Sequence, residues 1–182
     1  MPKLALIVVD MQVRFERMSR EMNIVEKVVS VIKACHREGV PVFITKHHDP
    51  DPSPRSNLYK WWGNPIIKGA EDWKLIKDIE AISDRKTDTI IEEKSTYDAF
   101  HDTDLNKYLL DLGVDTVVVC GAMTNLCCET TARSAFVKNF NVTFLSDGNA
   151  TTTREFHDAT IKNLEFGFAT IMTCEEFMAT LK

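Results

Sequence analysis

The sequence predicts an α/β fold in which helices cover both faces of a parallel sheet. Two observations predict it. Short runs rich in β-branched residues alternate with helical stretches along the chain, the pattern of repeated βαβ units, whose right-handed crossovers put helices on both sides of the sheet. One run, Thr116–Cys120, is almost wholly apolar, as expected of a strand buried on both faces.

The elements follow in order. Leu4–Val9 reads as a buried strand. Residues 22–38 read as an amphipathic helix with Ile24, Val25, Val28, Val29, Val31, Ile32 and Cys35 on or near one face, stopped by Gly39. Pro41–Thr45 is the second strand and Thr89–Glu92 the third. Thr103 caps a helix carrying Leu105, Tyr108, Leu109 and Leu112 at helical spacing, and Gly113 ends it. Thr116–Cys120 is the fourth strand, residues 125–139 a helix, Val142–Leu145 the fifth strand, 154–166 a helix, Thr170–Thr173 the sixth strand, and Glu175–Leu181 a closing helix. Lys46–Gly69 is irregular. It holds four of the six prolines and the run Trp61-Trp62-Gly63. A loop of that length in a compact domain is usually functional or disordered, and its aromatic content argues against disorder.

The length of 182 residues fits a single domain over 1–182, since domains run to roughly 100–200 residues. A net charge of −5 with scattered Lys and Arg gives no electrostatic footprint for nucleic acid or an anionic membrane. No apolar run reaches the roughly 20 residues needed to span a bilayer. The start of the chain shows no signal-peptide pattern. The cysteines at 35, 120, 127, 128 and 174 are odd in number and irregularly spaced, which predicts free thiols and a cytoplasmic setting.

In an open parallel sheet, ligands bind beyond the carboxyl ends of the strands. Asp10 follows the first strand, Lys94 the third, and Cys127 lies in the first turn of the helix after the fourth. A helix N-terminus and a nearby ammonium both lower a thiol pKa, and its free amides can hold an oxyanion. Each residue also has a plain reading: Cys127 as a small core residue, Asp10 as a cap, Lys94 as a solvated surface lysine. Cys128, about 100° around the helix, reads as core packing. Cys35, Cys120 and Cys174 read as inert.

Taken together, these residues resemble the isochorismatase-like cysteine hydrolases. The likeness rests on Leu6-Ile7-Val8-Val9-Asp10-Met11-Gln12, on Lys94-Ser95-Thr96-Tyr97-Asp98-Ala99-Phe100 with Thr103-Asp104-Leu105, and on Gly121-Ala122-Met123-Thr124-Asn125-Leu126-Cys127-Cys128-Glu129-Thr130-Thr131-Ala132. Ser146–Thr151 adds to it. The third segment is the most specific. The resemblance implies a three-layer α/β/α fold with a six-stranded, mostly parallel sheet. It implies a catalytic set of Asp10, Lys94 and Cys127, a cis Ala122–Met123 peptide, and an oxyanion site made by the Met123 and Cys127 amides. It also implies a homo-oligomer, dimer or tetramer, and no required cofactor. The wording around Met123–Glu129 looks most like the N-carbamoylsarcosine amidase and ureido hydrolase branch, hence a small carbamoyl or carboxamide substrate. In that branch an arginine after the fifth strand pairs with a substrate carboxylate, a place roughly matched by Arg154. Thr124 stands where a family threonine contacts substrate, although a helix cap serves it equally. Trp61, Trp62 and Tyr97 are candidate pocket walls or core residues.

Two departures matter. Nicotinamidases of the family hold a metal with an Asp-x-His pair and a later histidine. Here Lys46-His47-His48-Asp49 stands in the first place and Trp62-Gly63-Asn64-Pro65-Ile66-Ile67, with no histidine, in the second. No metal is therefore expected, although His47, His48 and Asp49 could ligate an ion. After Asp10 the usual Asp-x-Gln-Asn-Asp-Phe reads Asp10-Met11-Gln12-Val13-Arg14-Phe15, which leaves the substrate open and raises Arg14 as a carboxylate partner. The alternatives are a nicotinamidase, an isochorismatase, and a binding protein on the same fold without turnover.

Overall fold

A computed structural model describes residues 3–181; positions 1, 2 and 182, part of the single-domain expectation, lie outside the described residues. Six strands form one sheet: β1 (Leu4–Val9), β2 (Val42–His47), β3 (Thr89–Lys94), β4 (Thr116–Ala122), β5 (Asn141–Ala150) and β6 (Thr170–Met172). They lie in the order β3-β2-β1-β4-β5-β6, and every pairing is parallel. The chain winds outward from β1 to β3, then returns to set β4 on the other side of β1. That reversal opens a crevice at the carboxyl ends of β1 and β4, the place where ligands bind in such sheets.

Alternation along the strands sorts the core into two layers. Ala5, Ile7, Val9, Val117 and Val119 pack with Leu105, Leu109, Ala132, Ala135 and Leu164. These come from α5 (Leu105–Asp111), α6 (Glu129–Val137) and α7 (Arg154–Gly167). Leu6, Val8, Val118 and Cys120 face Val28, Val31, Ile32, Ile79 and Phe177, from α2 (Val25–Arg37), α4 (Lys77–Ile82) and α8 (Cys174–Thr180). The three-layer expectation is met.

Several boundaries differ from the expectation. A helix α1 (Val13–Glu21) precedes the helix expected from residue 22. Its surface is polar, tied by Glu16–Arg20 and Arg17–Glu21 pairs. Asn23, in the left-handed region at φ 56°, ends it before α2 begins. The irregular stretch contains α3 (Asn57–Trp62), capped by the Ser56 hydroxyl and ended by left-handed Gly63. Strands β3 and β5 run further than expected, so Lys94 is the last residue of its strand rather than a residue after it. The Thr103 hydroxyl accepts from the Leu105 amide, while Asp104 occupies the N-cap position. Thr173 forms a full capping box with Glu176 at the start of α8, which shortens the sixth strand to Met172.

Gly121 makes the close approach of β1 and β4 possible. Its φ is +127°, and a Cβ built there would lie 2.1 Å from the Val9 carbonyl oxygen. Gly121→Ala should therefore cost at least about 2 kcal/mol, read as a lower urea midpoint with an unchanged slope.

Candidate active site

Asp10 is set at the end of β1 with φ 48°, an uncommon conformation for a residue other than glycine. Its amide donates to the Thr45 hydroxyl at 3.2 Å, and that hydroxyl donates back to Asp10 Oδ1 at 2.6 Å. Asp10 Oδ2 accepts from Lys94 Nζ at 2.5 Å. Both side chains are fully buried, so the surface-lysine reading of Lys94 fails. Two strands, β2 and β1, separate Lys94 from β4, and its long side chain reaches across β2 to Asp10 at the end of β1.

Cys127 lies on a five-residue π-helical turn, Thr124–Cys128, that leads from β4 into α6. The peptide before Met123 is cis. The Met123 carbonyl accepts from the amides of Leu126 and Cys128, each at 3.1 Å, and skips the Cys127 amide between them. The Cys127 thiol lies close enough to Asp10 and Lys94 for both charges to act on it. The three residues therefore meet. Their protonation differs from the sequence expectation. Burial pushes the Cys127 thiol up to about 12, aided by the Asp10 charge and only partly opposed by Lys94. With Cys127 only 5% exposed, lost hydration outweighs the turn dipole and the ammonium. Burial acts to lower the Lys94 pKa, but Asp10 and Cys127 outweigh it and hold the ammonium above its ordinary value. The resting arrangement is thus a thiol beside an ion pair.

Cys127 opens onto a cavity of 390 Å³ whose walls include Phe15, Met18, Trp62, Tyr97 and Leu126. Trp62 and Tyr97 are joined by an indole N–H donating to the phenol oxygen at 2.8 Å. Trp62 is half exposed and Trp61 largely exposed, so neither is a core residue, and Trp61 lies off the cavity wall. Arg14 is in the wall. It donates to the Asn64 and Pro65 carbonyls and pairs with Asp72. Arg154, by contrast, is exposed at the start of α7, pairs with Asp158, and is not among the residues lining the cavity. Thr124 is fully buried, away from the cavity lining, with its hydroxyl 3.1 Å from His157 Nδ1. Cys35, Cys120, Cys128 and Cys174 are free and buried, each pushed upward by burial.

His47 and Asp49 line the cavity, with His47 Nε2 3.8 Å from Asp49 Oδ2. Asp49 also accepts from the Ile66 amide at 2.6 Å. His48 faces Glu93 instead. Among the described residues no group of three His, Cys, Asp or Glu side chains is arranged to hold an ion. Two donors fall short of the three or four a protein metal site takes, and the residues present do not fit a resident metal.

Sequence reasoning missed Thr45, which orients Asp10, and Gln12. The Gln12 amide group donates to the His47 and Trp73 carbonyls and accepts from the His47 amide, so it pins the end of β2. It also missed His157. Their partners are 35, 61 and 33 residues away, beyond any local pattern.

A parallel α/β domain with a buried thiol, carboxylate and ammonium at its switch point has the architecture of an isochorismatase-like hydrolase. The comparisons agree: the family described as "Isochorismatase domain" matches residues 4–176, and the chain belongs to the isochorismatase family. It is 42% identical to Nicotinamidase 3 of Arabidopsis thaliana over 178 residues, covering 97% of this chain and 88% of that protein. Among solved structures, a cysteine hydrolase from Pseudomonas syringae pv. phaseolicola superposes with a TM-score of 0.87 at 25% identity, over 98% of this chain and 92% of that one. N-carbamoylsarcosine amidase from Thermoplasma acidophilum gives 0.80 at 26%, over 94% and 96%. No helix among the described residues is long and apolar enough to cross a membrane.

Proposed function

We propose that this chain is a cysteine-dependent amide hydrolase that opens a C–N bond of a small carboxamide with a flat, apolar body. The observation that carries the reading is the cavity: Cys127 is its one lining cysteine, among walls that are mostly apolar and aromatic, with the Asp10–Lys94 pair behind the sulfur. The relative named nicotinamidase, at 42% identity, favours an aromatic carboxamide of the nicotinamide type. Asp10 takes the thiol proton as the sulfur attacks the carbonyl carbon, so the high resting thiol pKa is met by a base close by. Lys94 stays charged and stabilises the thiolate as it forms. The Met123 and Cys127 amides hold the oxyanion. Collapse expels the amine, which takes the proton from Asp10 and leaves as ammonia, and a thioester remains on Cys127. Water, giving its proton to Asp10, attacks the thioester; the acid leaves and the thiol recovers its proton.

A second reading, a ureido acid of the N-carbamoyl amino acid type, is favoured by Arg14 in the cavity wall, a candidate partner for a substrate carboxylate. Homo-oligomeric assembly and a cytoplasmic setting, as the family resemblance and the free thiols suggest, remain part of the proposal. The test is ammonia release from nicotinamide, benzamide and N-carbamoyl amino acids. We expect turnover of an aromatic carboxamide, falling at least about 10³-fold in Cys127→Ala. Full activity in that variant, or turnover confined to ureido acids, overturns the first reading.

A further inference from the structure

The turn that carries Cys127 is the π-helical segment Thr124–Cys128. Two of its amides share one acceptor, the Met123 carbonyl. Its position is set from outside by side chains. Thr151 Oγ1 donates to Asn125 Oδ1 at 2.5 Å, and Thr160 Oγ1 donates to Glu129 Oε2 at 2.9 Å just past the turn. The third brace is His157, on α7 and 3% exposed. Its Nδ1 lies 3.1 Å from the hydroxyl of Thr124, the first residue of the turn. Burial lowers the His157 pKa, which favours the neutral ring, whose Nδ1 can accept from the Thr124 hydroxyl.

We propose that His157 is a positioning residue for the thiol turn. Acting through Thr124, it ties that turn to α7 and so fixes the Cys127 sulfur and the Met123 and Cys127 amides relative to Asp10. This assigns Thr124 to the brace rather than to substrate contact, and it rests on the amide-hydrolase reading. A plain buried histidine would satisfy its hydrogen bonds anywhere; this one connects α7 with the first residue of the turn, three positions before the sulfur. A shift of about 1 Å in a reacting group can cost about 10²-fold in rate.

The experiment compares Thr124→Val, Thr124→Ser, His157→Leu and the Val/Leu double variant, by kcat and KM on an aromatic carboxamide and by the alkylation rate of Cys127 with iodoacetamide. We expect Thr124→Val and His157→Leu each to lower kcat about 10- to 100-fold with KM within about threefold. The double variant should lose no more than the worse single one, and Thr124→Ser should regain most of the rate. Cys127 alkylation should drop in Val, Leu and double variants alike. Additive losses, a KM effect with kcat intact, or unchanged alkylation overturns the proposal. If His157→Leu fails to fold, the near-isosteric Thr124→Val carries the test. Absence of amide turnover in the unaltered protein would defeat the hydrolase reading, while the alkylation rates would still decide the brace.

Discussion

Asp10→Asn should abolish turnover and strip several kcal/mol of stability in the same step. The Lys94 ammonium is fully buried and bonded to Asp10 Oδ2 at 2.5 Å. With a neutral amide in place of the carboxylate, a buried charge loses its counter-ion, which typically costs about 3–5 kcal/mol. The same substitution removes the carboxylate whose charge acts on the thiol. Loss of a general base costs about 10²–10⁴-fold in rate. Asp10→Asn/Lys94→Met separates the two effects. Removing both charges should return most of the stability, since a buried pair adds little over an apolar replacement, and should return none of the activity. Chemical denaturation and kcat on one carboxamide check both. An Asp10→Asn protein that loses less than about 1 kcal/mol would show that Lys94 is not held there as a cation.

The second large effect is alkaline. Unfolding free energy should fall steeply above about pH 9. The Cys127 and Cys35 thiols are each pushed from an ordinary value of 9.0 to about 12, chiefly by burial. Below pH 9 the folded and unfolded chains both keep these protons. Above it the unfolded chain releases them while the folded one holds them, so rising pH favours unfolding until about pH 12. Each thiol contributes a slope of about 1.4 kcal/mol per pH unit, and two give roughly 3. Cys120, Cys128 and Cys174 are raised by burial too and steepen the fall. Urea midpoints between pH 8 and 11 read it. Cys35→Ala, outside the active site, should reduce the slope by about 1.4 kcal/mol per unit. A midpoint flat across that range would contradict the burial argument.

Much of this site is legible in the chain because a parallel sheet imposes order on it. Strand ends are readable from β-branched runs, and the strand ends point to one edge. Asp10, Lys94 and Cys127 could be grouped from that rule before any distance was known. The helices were less legible where tertiary contacts outweigh local pattern. Helix α1 lacks a side-chain cap, because the Gln12 side chain is committed to the His47 backbone and the Trp73 carbonyl. Helix α3 hides among prolines, and its capping Ser56 has only short-range partners to announce it.

The sequence by itself determined the α/β class, the six strands, the family resemblance and the three residues that meet at the switch point. Only the tertiary structure decided how those residues sit: Lys94 fully buried, Asp10 shared with Thr45, and Arg14 in the wall in place of Arg154. The reason is that hydrophobic period and turn chemistry are local and survive in one dimension. Burial, counter-ions and hydrogen-bond partners 30 to 80 residues away are sums over neighbours that exist only after the chain has closed on itself, and those sums set the proton on Cys127.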